Sequence, residues 1–213
     1  MIRSLPRVYQ DELDLLALQY GQPLVRTVEL TTNKKFNPLN KKDRFGEVCM
    51  VIRRQDGRLL TMKKTYYPPD AYRLPTGGIR QGELIFDALL RETYEETGLE
   101  VSINRFLAIA TYHLSQADPT PVFYTFAFLL DEIGGTFGTI DEGEQVEAFR
   151  EIQPHDLPSI AKFLDQLQAG YSREIRGTWE DWGQFRAAIH HIVWEALLAK
   201  TAPHPNGTVD RTS

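Results

Sequence analysis

Three glutamates constrain this chain more than any other feature. Glu92, Glu95 and Glu96 are spaced i, i+3, i+4 within Leu84 to Thr97, a segment whose periodicity predicts a helix closed by Gly98. That spacing puts all three carboxylates on one side of the helix. Ile85, Ala88 and Leu89 lie on the same side, one or two turns earlier. The stripe is therefore apolar at its start and acidic at its end, whereas a solvated acidic face belongs opposite an apolar stripe. Like charges at this spacing repel, and the macrodipole disfavours negative charge near a helix C-terminus. Both penalties vanish if divalent cations bind there. Carboxylate oxygens are hard ligands that suit Mg²⁺ or Mn²⁺, and Mg²⁺ is commonly held by a few carboxylates plus substrate phosphates. The bland alternative is a surface helix with an Arg91–Glu95 ion pair at i, i+4.

The surrounding residues separate the two readings. Gly77 is followed after five residues by Glu83, and after seven more by Arg91-Glu92-Thr93-Tyr94-Glu95-Glu96-Thr97-Gly98-Leu99. With usage of about 5–7% per position, the seven fixed residues would match by chance in a chain of this length with odds of roughly one in a million. The segment resembles the Nudix box, G-x5-E-x7-R-E-U-x-E-E-x-G-U, where U is a bulky aliphatic residue. All seven fixed positions match and Leu99 fits the final U. Thr93 departs from the pattern at the first U, although its methyl can still pack. Leu74-Pro75-Thr76-Gly77-Gly78 also looks like the family's entry to the box.

The resemblance covers about Phe45 to Pro158 and implies an α/β Nudix fold, a mixed β-sheet sandwiched between helices (α/β/α). It implies hydrolysis of a diphosphate linkage in a nucleoside diphosphate joined to another moiety. Carried over residue by residue, Glu92 and Glu96 would be the principal ligands of Mg²⁺ or Mn²⁺, with Glu95 in the same shell. The main-chain carbonyl of Thr76 is a further candidate ligand. Glu83 would ligate another metal or anchor the loop. Arg91 would orient the carboxylates by charge-assisted hydrogen bonds, and Gly77 and Gly98 would permit turns on either side of the helix. A base must accept the proton of the attacking water. In this family it lies in the box, where Glu95 is a candidate, or in a loop before the last strand. That loop is Asp141-Glu142-Gly143-Glu144 here, and it offers Glu142 and Glu144.

ADP-ribose or a nucleotide sugar is the first substrate expectation. Pro119 and Pro121 lie somewhat farther past the box than the proline of the family's ADP-ribose-specific members. A nucleoside triphosphate or capped RNA is the alternative of the same chemistry. A non-catalytic nucleotide sensor of the same fold and an interaction protein built on the C-terminal helix are alternatives of other classes. Sensors usually carry degraded boxes, and this box is intact. Tyr66, Tyr67, Tyr72 and Arg73 stand just upstream of the box and could stack on or pair with a nucleotide, or simply pack beside a strand. His113 is a weaker cleft candidate. His190 and His191 cannot be a helical metal pair, since adjacent residues point about 100° apart. Trp179, Trp182 and Trp194 read as packing residues.

The rest of the chain divides around the box. Val8 to Tyr20 reads as an amphipathic helix ended by Gly21 and Pro23, and Leu24 to Leu30 as a strand. Polar Thr31 to Arg44 reads as a linker, which makes 1–44 an N-terminal extension and 45–158 the box domain. Glu47 to Arg53 and Leu59 to Lys63 flank Asp56-Gly57 as a hairpin. Arg105 to Leu114, Val122 to Leu130 and Gln145 to Ile152 are further strands, with Gly134, Gly135 and Gly138 in a loop. Helices follow from about Pro158 to Ala169 and for about 20 residues after Thr178, so that 159–200 forms C-terminal helices docked on the domain. The tail, 201–213, reads as mobile.

Neither extension can bury a sizeable core alone. The stripe Trp182, Phe185, Ile189, Ile192, Val193, Ala196 and Leu197 must dock, on its own sheet or on a second copy. Docking on the same chain is favoured, with a homodimer formed partly by the N-terminal segment. The single Cys49 cannot form an internal disulfide, which points to a reducing compartment, the cytoplasm. No apolar run approaches the roughly 20 residues that span a bilayer, and Met1 to Pro6 does not read as a signal peptide. A net charge of −5 argues against an extended nucleic-acid surface and leaves room for a small anionic nucleotide held through a metal.

Overall fold

The computed structural model describes residues 4–30, 44–114 and 123–199. Its centre is a mixed sheet of seven strands: β1 (Leu24–Glu29), β2 (Gly46–Arg53), β3 (Leu59–Lys64), β4 (Thr76–Gly78), β5 (Leu99–His113), β6 (Phe123–Gly135) and β7 (Val146–Ile152). They lie in the order β1-β5-β6-β2-β3-β7, and β4 also pairs with β2. β1 runs parallel to β5 and β2 parallel to β6, while the other pairs are antiparallel. Helices α1 (Arg7–Tyr20) and α2 (Ile85–Thr97) cover one face; α3 (Leu157–Asp165) and α4 (Trp179–Leu198) cover the other. A small hairpin, β8 (Tyr171–Ser172) with β9 (Gly177–Thr178), joins α3 to α4. This is the expected α/β/α arrangement.

Side-chain alternation builds the two layers. In β2, Val48, Met50 and Ile52 enter the core under α1 and α2, while Cys49 and Val51 enter the core under α3 and α4. A strand covered on both faces reads as an unbroken apolar run. The α4 face carries Ala108, Ala110 and Ala127 where the opposite face carries Phe106, Phe126 and Phe128. Those small residues leave room for Trp182 and Phe185 of α4, both buried. The α4 stripe thus docks on the chain's own sheet, with only Leu197 half-exposed. Its burial is worth several kcal/mol at about 25 cal/mol per Å². Thr178 starts the helix by accepting the Asp181 N–H at 3.1 Å.

The N-terminal segment belongs to the same sheet, because β1 pairs with β5 along its whole length as an edge strand. Helix α1 also completes α2. Leu84, at the N-cap of α2, has no side-chain oxygen to offer. Glu12 supplies both: the N–H groups of Ile85 and Phe86 donate to its carboxylate at 3.0 and 2.8 Å. Its charge also faces the positive end of the helix.

Three boundaries differ from the sequence expectation. β5 begins at Leu99, well before Arg105, because Leu99 and Glu100 pair with Gly135 and Gly134. Those two glycines therefore end β6 and do not lie in a loop. The stretch Leu99 to Asn104 does alternate, with Glu100, Ser102 and Asn104 exposed. α3 ends at Asp165, short of Ala169, where Gln166 leaves the helical region. The expected linker up to residue 43, Pro119, Pro121 and the tail from Thr201 lie outside the described residues.

One irregularity positions the site. β2 and β3 pair at Arg53 and Leu59 and then part. The entry to the box fills the wedge. Met62 and Arg73 exchange two backbone hydrogen bonds at 2.8 and 3.0 Å, the Met50 N–H donates to the Pro75 carbonyl at 3.0 Å, and β4 pairs with Glu47 to Cys49.

Candidate active site

The α2 stripe turns acidic inside the protein. Ile85, Ala88 and Leu89 are fully buried, and Glu92 and Glu96 continue the stripe at 7% and 0% exposure, with Glu95 half-buried. Thr93 is buried too; its hydroxyl donates to the Leu89 carbonyl at 2.7 Å, which leaves the methyl for packing. Gly98 takes the left-handed conformation at φ 65° and its N–H donates to the Tyr94 carbonyl at 2.8 Å, as the turn requires. Gly77 works differently from expectation. It lies in β4 without a positive φ, and a Cβ there would overlap the Glu92 side chain. Its role is close approach, not a turn.

Arg91 gathers most of the carboxylates. Its Nε and Nη2 donate to the two oxygens of Glu83 at 2.7 and 2.9 Å, and its Nη1 donates to Glu92 at 2.8 Å and Glu95 at 2.9 Å. Glu83 also accepts the Arg80 N–H at 2.8 Å, so the geometry favours the loop anchor over a ligand for this residue. The Arg91 hydrogen bonds hold the Glu83 carboxyl below its ordinary range. Burial pushes Glu92 up, against the pull of Arg91.

Glu96 stands apart from that hub. Both its oxygens are buried without a hydrogen bond, and Lys64 Nζ lies 3.5 Å away. Burial pushes its carboxyl up to about 7, even though Lys64 and Arg73 favour the charged form. Lys64 donates to Glu144 at 2.7 Å, so the turn before β7 reaches the same cation. Burial raises Glu144, but the hydrogen bond and charge of Lys64, then the neighbouring Glu96 carboxyl and the charge of Arg73, hold it below its ordinary value. The side chain of Glu142 lies outside what is described.

The carboxylates are shared among Arg91, Lys64 and, at 3.7 Å from Glu95, Arg80. Among the described residues, no three acidic side chains close on one point as a finished cage. A buried carboxylate with two orphaned oxygens beside Glu92 and Glu144 nevertheless fits a hard divalent cation. Thr76, in the adjacent β4, adds a buried hydroxyl without a partner to its main-chain carbonyl.

A cavity of about 730 Å³, counted out to the solvent, adjoins this cluster. Lys64, Tyr67, Arg73 and Thr76 line one side, and Trp182 and Arg186 of α4 line the other. Tyr67 and Arg73, two of the substrate-contact candidates, both line this cavity. Tyr67 is buried, accepts the Arg73 Nε–H at 3.0 Å and leans on Trp179 and Trp182. Tyr72 does not line the cavity; its ring lies under the Arg150 guanidinium at 3.8 Å, on the β7 side. The alternation of a β-type segment sends neighbours Tyr72 and Arg73 to opposite sides.

A model of the NUDIX domain matches residues 43–174. The chain belongs to the Nudix hydrolase family. An ADP-ribose pyrophosphatase of Methanocaldococcus jannaschii is 29% identical over 167 residues, which cover 78% of this chain and 92% of that one. A diphosphoinositol polyphosphate phosphohydrolase of Mus musculus, 3-alpha, is 30% identical over 143 residues, 65% of this chain and 85% of its own length.

In this Nudix hydrolase, α4 is wired to the entry of the box. Arg186 Nη1 donates to Glu47 at 2.6 Å, and Thr125 donates to the same carboxylate at 3.1 Å, all buried. His190 is fully buried and pushed down by burial to about 3, so it is neutral. Its Nε2 accepts the Leu74 N–H at 3.0 Å, which assigns the proton to Nδ1, donating to the Arg186 carbonyl at 2.7 Å. His190 thus holds the box's entry and binds no metal with exposed His191. His113 is buried at the end of β5. Sequence reasoning passed over Lys64, Glu47 and Arg186. The last two did carry a signal, a charge inside an apolar strand and one beside an apolar helical stripe. Burial pushes Cys49 up to about 12, which leaves the thiol inert. Among the described residues, no helix is long and apolar enough to cross a membrane.

Proposed function

We propose that this chain hydrolyses the diphosphate linkage of a nucleoside diphosphate derivative, with ADP-ribose or a nucleotide sugar as first choice, in a Mg²⁺- or Mn²⁺-dependent reaction. The observation that carries this reading is Glu96, a fully buried carboxylate whose two oxygens accept no hydrogen bond and which lies 3.5 Å from Lys64 of the cavity wall. Glu92 and Glu96 would hold the cation, with Glu95 and the Thr76 carbonyl within its surroundings. When bound, such a cation neutralises phosphate oxygens and acidifies water. Arg91 fixes the rotamers of Glu92 and Glu95. Glu144, ionised and held by Lys64, accepts the proton of the attacking water. The methanococcal relative's activity supports ADP-ribose; the intact box speaks for turnover over nucleotide sensing.

A second reading, a substrate with more than two phosphates such as a nucleoside triphosphate, is favoured by the buried Arg73 on the cavity wall and by the murine relative. Turnover with Mg²⁺ against ADP-ribose, nucleotide sugars, dinucleotides and nucleoside triphosphates separates the two. Glu144→Gln should lower kcat by roughly 10²–10⁴-fold without weakening metal affinity. Unchanged kcat in that variant would move the base elsewhere. The reducing environment suggested by Cys49 makes the cytoplasm the proposed compartment. A homodimer using the N-terminal segment is the proposed assembly, to be checked by light scattering on the full chain.

A further inference from the structure

Arg73 is 2% exposed and fully charged at any physiological pH. Among the described residues it forms no ion pair with a carboxylate. Its Nε donates to the Tyr67 hydroxyl at 3.0 Å and its Nη1 to the Leu74 carbonyl at 2.7 Å, both neutral acceptors. Nη2 has no partner among the described residues, and the residue lines the cavity. A buried charge without a counter-ion is among the costliest arrangements a fold can hold. Glu96 and Glu47 balance it only through space.

The neighbourhood repeats the pattern. Arg186 Nε and Thr76 Oγ1 are buried without hydrogen-bond partners, and both residues line the same cavity. Of the lining cations, Lys64 is paired with Glu144 and Glu96 and Arg186 with Glu47, while Arg73 has no carboxylate partner among the described residues. The wall therefore holds a buried cation without an ion pair among the described residues, together with two polar atoms that lack a partner, Arg186 Nε and Thr76 Oγ1.

We propose that Arg73, backed by Lys64 and Arg186, forms an anion subsite that holds a phosphoryl group of the substrate away from the Glu92–Glu96 cluster. A guanidinium with one free edge suits a phosphate oxygen. The two bonds to Tyr67 and Leu74 fix that edge before substrate arrives, so little order remains to be imposed on binding. Residue 73 is tied to Met62 on both backbone hydrogen bonds, which sets the distance between the subsite and β4. The α4 wall limits what can extend beyond the phosphate. This inference rests on the reading of the chain as a diphosphate hydrolase, and it assigns one group of the diphosphate to residues outside the box.

The test is calorimetric titration of inorganic pyrophosphate, and of inorganic phosphate, into the full chain with chelator present, so that no metal contributes. The unaltered chain should bind pyrophosphate. Arg73→Gln should weaken it by about tenfold or more; Arg73→Lys should recover part of the loss, and the distant surface variant Arg58→Gln should bind as the unaltered chain does. Equal affinity in a folded Arg73→Gln, or no binding by the unaltered chain at millimolar pyrophosphate, overturns the subsite. If Arg73→Gln does not fold, Lys64→Gln takes its place, with the same outcomes. Turnover measured in parallel keeps the two readings apart. Anion binding that needs Arg73 in a chain that hydrolyses no diphosphate sustains the subsite and overturns the function. Hydrolysis with Arg73-independent binding does the reverse.

Discussion

Arg91 and Arg73 are both withdrawn from solvent, and the fold treats them in opposite ways. Arg91 meets Glu83, Glu92 and Glu95, so negative charge exceeds positive around it. Arg73 meets a phenol and a carbonyl, in a wall whose other cations Lys64 and Arg186 already have carboxylate partners. The first region is finished as a structural unit and short of a cation. The second is short of an anion. An acidic cluster joined through Lys64 to a cavity wall that holds Arg73 suits a substrate that brings phosphates to a metal.

The largest effect expected on this contrast is at Glu96. Glu96→Gln should lower turnover at saturating Mg²⁺ by several powers of ten while the fold survives, because metal activation supplies several kcal/mol of transition-state stabilisation. Near-normal turnover would remove the acidic half of the comparison.

The pH dependence of stability comes next. Glu96 is held at about 7 against 4.5 as its ordinary value. Between those values the folded chain keeps a proton that the unfolded chain has lost. Stability of the metal-free chain should therefore be full below about pH 4.5 and fall as pH rises toward 7, by at most about 3 kcal/mol from this group. Urea unfolding in chelator at pH 5 and pH 8 measures it, and Glu96→Gln should flatten the difference. A flat profile in the unaltered chain would show that Lys64 and Arg73 offset the burial of this carboxylate.

The two arginines can be compared directly by thermal unfolding without ligand. Arg91→Met strands three carboxylates against one another and should cost about 2–3 kcal/mol. Arg73→Met strands only neutral acceptors and removes a charge that Glu96 and Glu47 balance only through space, so its cost should stay near or below about 1 kcal/mol. Equal losses would erase the distinction. The smallest effect is expected at Glu12, where Glu12→Gln weakens the cap that α1 lends to α2. A loss of about 1 kcal/mol in urea midpoint is expected, and no change would show that α1 merely covers α2.

The hub was readable because it is local. Gly77 to Leu99 holds every residue of the Arg91 cluster, and helical periodicity fixes which of them share a face. Even so, the sequence put three glutamates in one group, and the fold gives Glu92 and Glu95 to Arg91 and leaves Glu96 to Lys64. The side of each residue follows from spacing, but its partner depends on what stands across from it. Tyr72 and Arg73 show the same limit. Both precede the box, and only strand alternation against β3 sends one into the cavity and the other under Arg150.

By itself, then, the sequence determined the box, the strand alternation that makes two layers, and the caps at Gly98 and Thr178. Each depends on residues within a few turns or pleats of one another. The tertiary structure alone decided the cap from Glu12 on α2, the Arg186–Glu47 pair in the cavity wall and the isolation of Arg73. These join residues far apart in the chain. No periodicity links them, because their meeting follows from how helices and strands are laid over one sheet.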